Sequence, residues 1–180
     1  EAPIVVTMRD GRDVVASAVK IWARLDLSPL DAAAQWRLAA ESYLKAQAVP
    51  HLLLRYEEVV RDPNKFFADL FSYLGFTYDS RFGEEIETNT SFGGRRQGAG
   101  IVPSSHFADM FDIKTQEEIE ALLLPTLRAL GYEARMDSHR VSFKARAAFL
   151  WHYARRKAVL ALQKAGLLWI ALVARRIIKI

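Results

Sequence analysis

The most constraining feature of this chain is residues 4–17, Ile-Val-Val-Thr-Met-Arg-Asp-Gly-Arg-Asp-Val-Val-Ala-Ser, where an apolar strand runs directly into a helix. Residues 4–8 are β-branched and almost wholly apolar, the pattern of a strand buried on both faces of a parallel sheet. Asp10-Gly11 supplies a turn, and Asp13 can cap or favourably charge the first turn of a helix carrying Val14, Val15, Ala16, Ala18, Val19 and Trp22. Ligands of open parallel sheets sit at the carboxyl ends of strands, so Arg9 stands where an anion would bind. Ser17 lies about two helical turns further on, where its hydroxyl could reach the same anion. Arg12 is expected to pair with a neighbouring carboxylate instead.

The coarse pattern further along is strand 51–56 and helices 12–24, 31–48 and 63–74. Ser28 or Asp31 stands near the start of the second helix, Pro63 in the first turn of the third and Gly75 at its stop. Strands separated by helices imply parallel pairing and an α/β sheet. Residues 77–115 are rich in glycine and lack periodicity, which is long for a structureless loop and marks a functional one. A helix over 115–130 follows, with Thr115 and Glu118 as a capping box and Gly131 as its close.

The first motif closely resembles the 3′-phosphate-binding segment of the sulfotransferases that use 3′-phosphoadenosine 5′-phosphosulfate (PAPS), an Arg-Asp-x-Arg-Asp-Val-x-x-Ser run whose matching residues here are Arg9 and Ser17. Residues 52–63, Leu-Leu-Leu-Arg-Tyr-Glu-Glu-Val-Val-Arg-Asp-Pro, resemble the family's strand with a tyrosine beside the adenine, a position that falls on Tyr56. Phe-Ser-Tyr-Leu-Gly at 71–75 and Leu-Gly-Tyr at 130–132 resemble helix ends in the same enzymes. Residues 89–100 resemble a degraded form of the family's Arg-Lys-Gly-x-x-Gly loop over the nucleotide. That assigns Arg96 and Gly98 to the donor, although Gln97 replaces the lysine and the glycine spacing is one residue short. The resemblance implies a P-loop-type parallel sheet with flanking helices and sulfuryl transfer from PAPS to a hydroxyl or amine.

No Gly-x-x-x-x-Gly-Lys run occurs in the chain, and the family's 5′-phosphosulfate loop and catalytic base have no counterpart in it. The chain is therefore expected to be the carboxyl-terminal part of a longer enzyme. It would bind the adenosine 3′-phosphate end of the donor, contribute no catalytic residue, and be inactive alone. A small-molecule, carbohydrate or lipid acceptor is implied, and no nucleic-acid partner. The rival readings are another P-loop-fold transferase, such as a small-molecule kinase, and a non-catalytic module recruited to membranes.

Charge divides the chain in two. Residues 1–137 hold 15 Lys and Arg against 21 Asp and Glu, a net of −6, whereas residues 138–180 hold 10 Lys and Arg and no acid. This sets a body at 1–137 apart from a basic tail at 138–180, expected to form a long amphipathic helix over about 141–178, bent near Gly166. Arg146, Lys157, Lys164 and Arg175 share a stripe at helical spacing, and the apolar run 158–174 spans about 25 Å, short of a hydrocarbon core of roughly 30 Å. The tail is thus expected to lie on an anionic membrane surface rather than to cross it. With no cysteine, the chain has neither disulfides nor thiolate chemistry, compatible with a reducing, cytoplasmic setting and peripheral membrane association. Histidines 51, 106, 139 and 152 are scattered without metal-ligand spacing, so no metal is expected. Glu57 and Glu58 fit helix-end or solvated charges better than an acid/base pair.

Overall fold

A computed structural model describes residues 2–23, 27–79, 106–137 and 140–165. Within these lie two strands, β1 (Val5–Met8) and β2 (Leu52–Arg55), and seven helices. In chain order the helices are α1 (Gly11–Ile21), α2 (Pro29–Ala46), α3 (Tyr56–Arg61), α4 (Pro63–Tyr73), α5 (Phe107–Met110), α6 (Ile113–Ala129) and α7 (Phe143–Lys164). The fold is mixed α/β and mostly helical.

The strands pair in parallel, with Val5 opposite Leu52 and Met8 opposite Arg55, and α1 and α2 form the crossover between them. Among the described residues β1 has β2 as its only strand partner, which corrects the expectation of burial on both faces: Val5 and Val6 are half-buried and Thr7 is exposed. The apolar run still forms a strand because its β-branched residues suit a pleated surface.

Helix boundaries follow side-chain caps. Asp10, rather than Asp13, caps α1 by accepting from the Arg12 backbone N–H at 2.9 Å, and Asp13 falls in the first turn. Ser28 caps α2 through the Asp31 N–H, and Asp62 caps α4 through the Lys65 N–H, with Pro63 in the first turn. The Thr115 capping box does not form. Asp112 caps α6 by accepting from the Thr115 N–H at 2.7 Å, and Glu118 accepts from the backbone N–H of Ser142. Gly75 and Gly131 take φ of +79° and +80°, the left-handed conformation that lets α4 and α6 stop.

The core lies between α1, α2, α6 and α7, around Val15, Ala16, Ala33, Ile119, Leu123 and Phe149. Alanines on α2 allow its neighbours to approach closely. The basic segment is tied to this core: α7 buries Ala145 and Phe149 against α2, and Arg156 Nε donates to Asp31 Oδ1 at 2.7 Å. The expected bend near Gly166 lies outside the described residues.

Candidate functional site

Parallel pairing with Met8 opposite Arg55 makes Arg9 and Tyr56 the next residues at the carboxyl ends of the two strands. They meet there, with the Arg9 guanidinium 4.3 Å from the centre of the Tyr56 ring, a cation–π contact that fixes both side chains. Tyr56 is the first residue of α3, and both it and Arg9 are half-buried. Ser17 is half-buried in α1, and its hydroxyl makes no hydrogen bond among the described residues. Arg96 and Gly98 lie outside the described residues.

The backbone beneath Arg9 is held from two directions. Trp36 of α2 donates its indole N–H to the Arg9 carbonyl at 3.2 Å, and the Asp10 N–H donates to Glu57 Oε1 at 2.8 Å. The other carboxylate oxygen of Glu57 accepts from the Tyr132 hydroxyl at 3.3 Å, so Glu57 links the β1 end, α3 and the segment after α6. It is a helix-end charge, as expected, but its oxygens are engaged by the protein rather than solvated. Burial, with the Glu57 charge nearby, raises the Tyr132 hydroxyl well above its ordinary value, so Tyr132 remains a donor. Arg55 completes this layer by donating to the Leu130 carbonyl at 2.7 Å.

Under Arg9 lies a buried ionic network. Arg12, 2% exposed, donates through Nε and Nη2 to Asp10 and through Nη1 to Glu120, which is fully buried. Its Nη2 also donates to the Glu133 carbonyl. Arg135 reaches back from the segment after α6 to Asp10 and Asp13, each at 2.9 Å. The backbone N–H groups of Arg135 and Met136 both donate to Glu120. Burial acts to raise the Glu120 carboxyl, but these backbone bonds and Arg12 outweigh it and hold the group below its ordinary value. The expectation that Arg12 pairs with a carboxylate holds.

Five of the motif's six polar and glycine positions thus divide their work. Asp10, Arg12 and Asp13 turn inward to lock α1 onto α6. Gly11 admits the Trp36 ring. Arg9 faces Tyr56 at the strand ends. Because Asp10 already occupies the Arg12 amide at the α1 start, an anion here would be held mainly by side chains.

Trp36, Glu120 and Arg135 escaped the sequence reading, as did the bond from the Asp10 N–H to Glu57. A signal existed for Glu120, which falls on the buried α6 stripe with Gln116, Ile119, Leu123 and Leu127, where a carboxylate requires a cation. Nothing local marks Arg135. His51, just before β2, accompanies Tyr43, His106 precedes α5, and His152 lies 3.5 Å from Asp31. Among the described residues no group of three or more His, Asp or Glu is placed to hold a metal ion.

Comparison with known families picks out this same part of the chain: the model of the sulfotransferase family matches residues 1–80. Residues 1–80 are thus similar to the sulfotransferase family. Both strands, helices α1–α4, Arg9, Ser17 and Tyr56 lie within it. Neither a curated protein nor a solved structure matches the chain. A sulfotransferase-type function is thereby supported in its broad class.

Proposed function

We propose that this chain forms the nucleotide-binding part of a PAPS-dependent sulfotransferase built on a P-loop-type sheet. Arg9 and Ser17 grip the 3′-phosphate, and Tyr56 lies beside the adenine. The observation that carries this reading is the meeting of Arg9 and Tyr56, 4.3 Å apart at the carboxyl ends of two parallel strands. A guanidinium suits a dianionic monoester because its forked N–H groups match phosphate oxygens. The Ser17 hydroxyl can donate to the same ester. With the Arg9 backbone pinned by Trp36, the cation is positioned before the ligand arrives, which lowers the cost of ordering it.

In the reaction so implied, an acceptor oxygen or nitrogen attacks sulfur and the bond from sulfur to the 5′-phosphate oxygen breaks. Adenosine 3′,5′-bisphosphate leaves, and the acceptor proton passes to a base. None of the described residues is assigned as that base. The part played by Arg9 and Ser17 is positioning, the dominant contribution in transfers of this kind. The small-molecule, carbohydrate or lipid acceptor is contacted elsewhere. A cytoplasmic setting accords with the cysteine-free sequence.

Calorimetry with adenosine 3′,5′-bisphosphate, adenosine 5′-monophosphate and ATP tests the proposal. The bisphosphate is expected to bind more tightly than the other two. Arg9→Ala should weaken its binding by about 1.5–3 kcal/mol, the worth of a charge-assisted hydrogen bond, and should leave the monophosphate nearly unaffected. Equal bisphosphate binding by Arg9→Ala, or preference for ATP, refutes it.

A further inference from the structure

We propose that the outward face of α7 is a docking surface for an anionic lipid bilayer, on which the helix lies flat while its inner face stays packed on α2. At about 100° per residue, Phe143, Ala147, Leu150, Trp151, Ala154 and Ala158 share an arc of roughly a third of a turn. That arc lies opposite Ala145 and Phe149, the two buried residues of the helix. All six side chains in it are exposed, including Phe143 at 88%, Trp151 at 66% and Leu150 at 55%. An apolar stripe facing away from its own core serves some other surface.

Charge selects which surface. Arg146, Lys157 and Lys164 run along one flank of the stripe, and Lys144 and Arg155 along the other, all exposed. No acidic residue follows Asp137 in the whole chain. Two rows of bases bracketing an apolar stripe match a bilayer interface: rings and alkyl groups enter the acyl boundary, and the cations meet lipid phosphates and carboxylates. The aliphatic stems of lysine and arginine let their charges stay at headgroup level. A second copy of the chain is a poor occupant, because its own +10 segment would be brought against this one. No helix among the described residues is long and apolar enough to cross a membrane, so the contact is peripheral.

This inference is independent of the nucleotide site. Flotation of the full chain with phosphatidylcholine vesicles, with and without phosphatidylserine, tests it, using Leu150→Ser/Trp151→Ser as the variant. Both side chains are exposed, so circular dichroism and the denaturation midpoint should stay unchanged. The parent chain is expected to float with the anionic vesicles, to release at high salt, and to remain behind with neutral ones. The variant should lose at least about tenfold in partitioning, since each anchor is worth about 1.5–3 kcal/mol when fully buried and these two are buried in part. Lys157→Glu should weaken binding and reduce its salt dependence. Failure of the parent chain to float overturns the proposal, as does equal flotation by the double variant. Sedimentation revealing a dimer that the double variant dissociates also overturns it, by assigning the stripe to a second copy.

Discussion

Substituting Gly11 by alanine adds one methyl group at the start of α1 and should destabilise the protein, against the ordinary preference of helices for alanine. A Cβ built at Gly11 would lie 2.6, 2.7 and 2.7 Å from three ring carbons of Trp36, closer than carbon atoms approach one another in proteins. The ring cannot retreat cheaply, because Trp36 is 7% exposed and its N–H is bonded to the Arg9 carbonyl. Overpacking of this kind costs about 1–3 kcal/mol, and loss of the indole hydrogen bond adds about 1 kcal/mol. Alanine returns at most about 1 kcal/mol of helix propensity. The net expectation is a loss of about 1–3 kcal/mol, seen as a lower urea midpoint and a fall in Tm of about 2–4 °C per kcal/mol. Because the clash acts through Trp36, Gly11→Ala should cost much less in a Trp36→Leu background, where the indole is gone; the coupling is read from a double-mutant cycle. A neutral or stabilising Gly11→Ala, or an equal cost in both backgrounds, would refute the close-approach argument.

Two further expectations concern the ionic network. Arg12→Met leaves Asp10 and Glu120 buried with fewer donors and should cost about 3–5 kcal/mol, the usual penalty for breaking a buried pair; a loss under 1 kcal/mol in urea unfolding contradicts this account. Glu120 is held below its ordinary carboxyl value of 4.5, so its contribution to stability is complete above pH 4.5 and is lost as pH falls through its lower folded-state value. Urea midpoints measured across the acid range should therefore drop below pH 4.5, and Glu120→Gln should be less stable at neutral pH with a shallower acid slope; an unchanged slope rules Glu120 out as a source of the acid sensitivity.

Much of the local structure was legible in the sequence because it is set by short-range chemistry. Apolar β-branched runs, Ser28 as a cap, Pro63 in a first turn and left-handed glycines at 75 and 131 each act within a few residues. The position of Arg9 and Tyr56 at the strand ends could be read from strand order alone, and parallel register then carries one strand-end residue to the other. The start of α6 was misplaced because two acceptors competed three residues apart, and Asp112 captured the Thr115 N–H while Glu118 turned to Ser142. What remained hidden was long-range. Arg135 stands 125 residues from Asp10, and no periodicity reports that the two ends of the network meet.

That long-range closure bears on how the candidate site is held. Arg9 lies on the junction of β1 and α1, and beside the local Asp10–Arg12 pairing four anchors of that junction come from distant elements: Trp36 from α2, Glu57 from α3, Glu120 from α6 and Arg135 beyond it. Two of these anchors, Glu120 and Arg135, lie outside the segment matched by the sulfotransferase family. The geometry at the strand ends therefore depends on residues after 80 as well as on the motif itself. Truncating the chain at residue 80 would leave Asp10, Arg12 and Asp13 without Glu120 and Arg135, stranding ionic groups that the fold buries. Arg9 is held in place here because its acidic and basic sequence neighbours are neutralised from the far end of the chain.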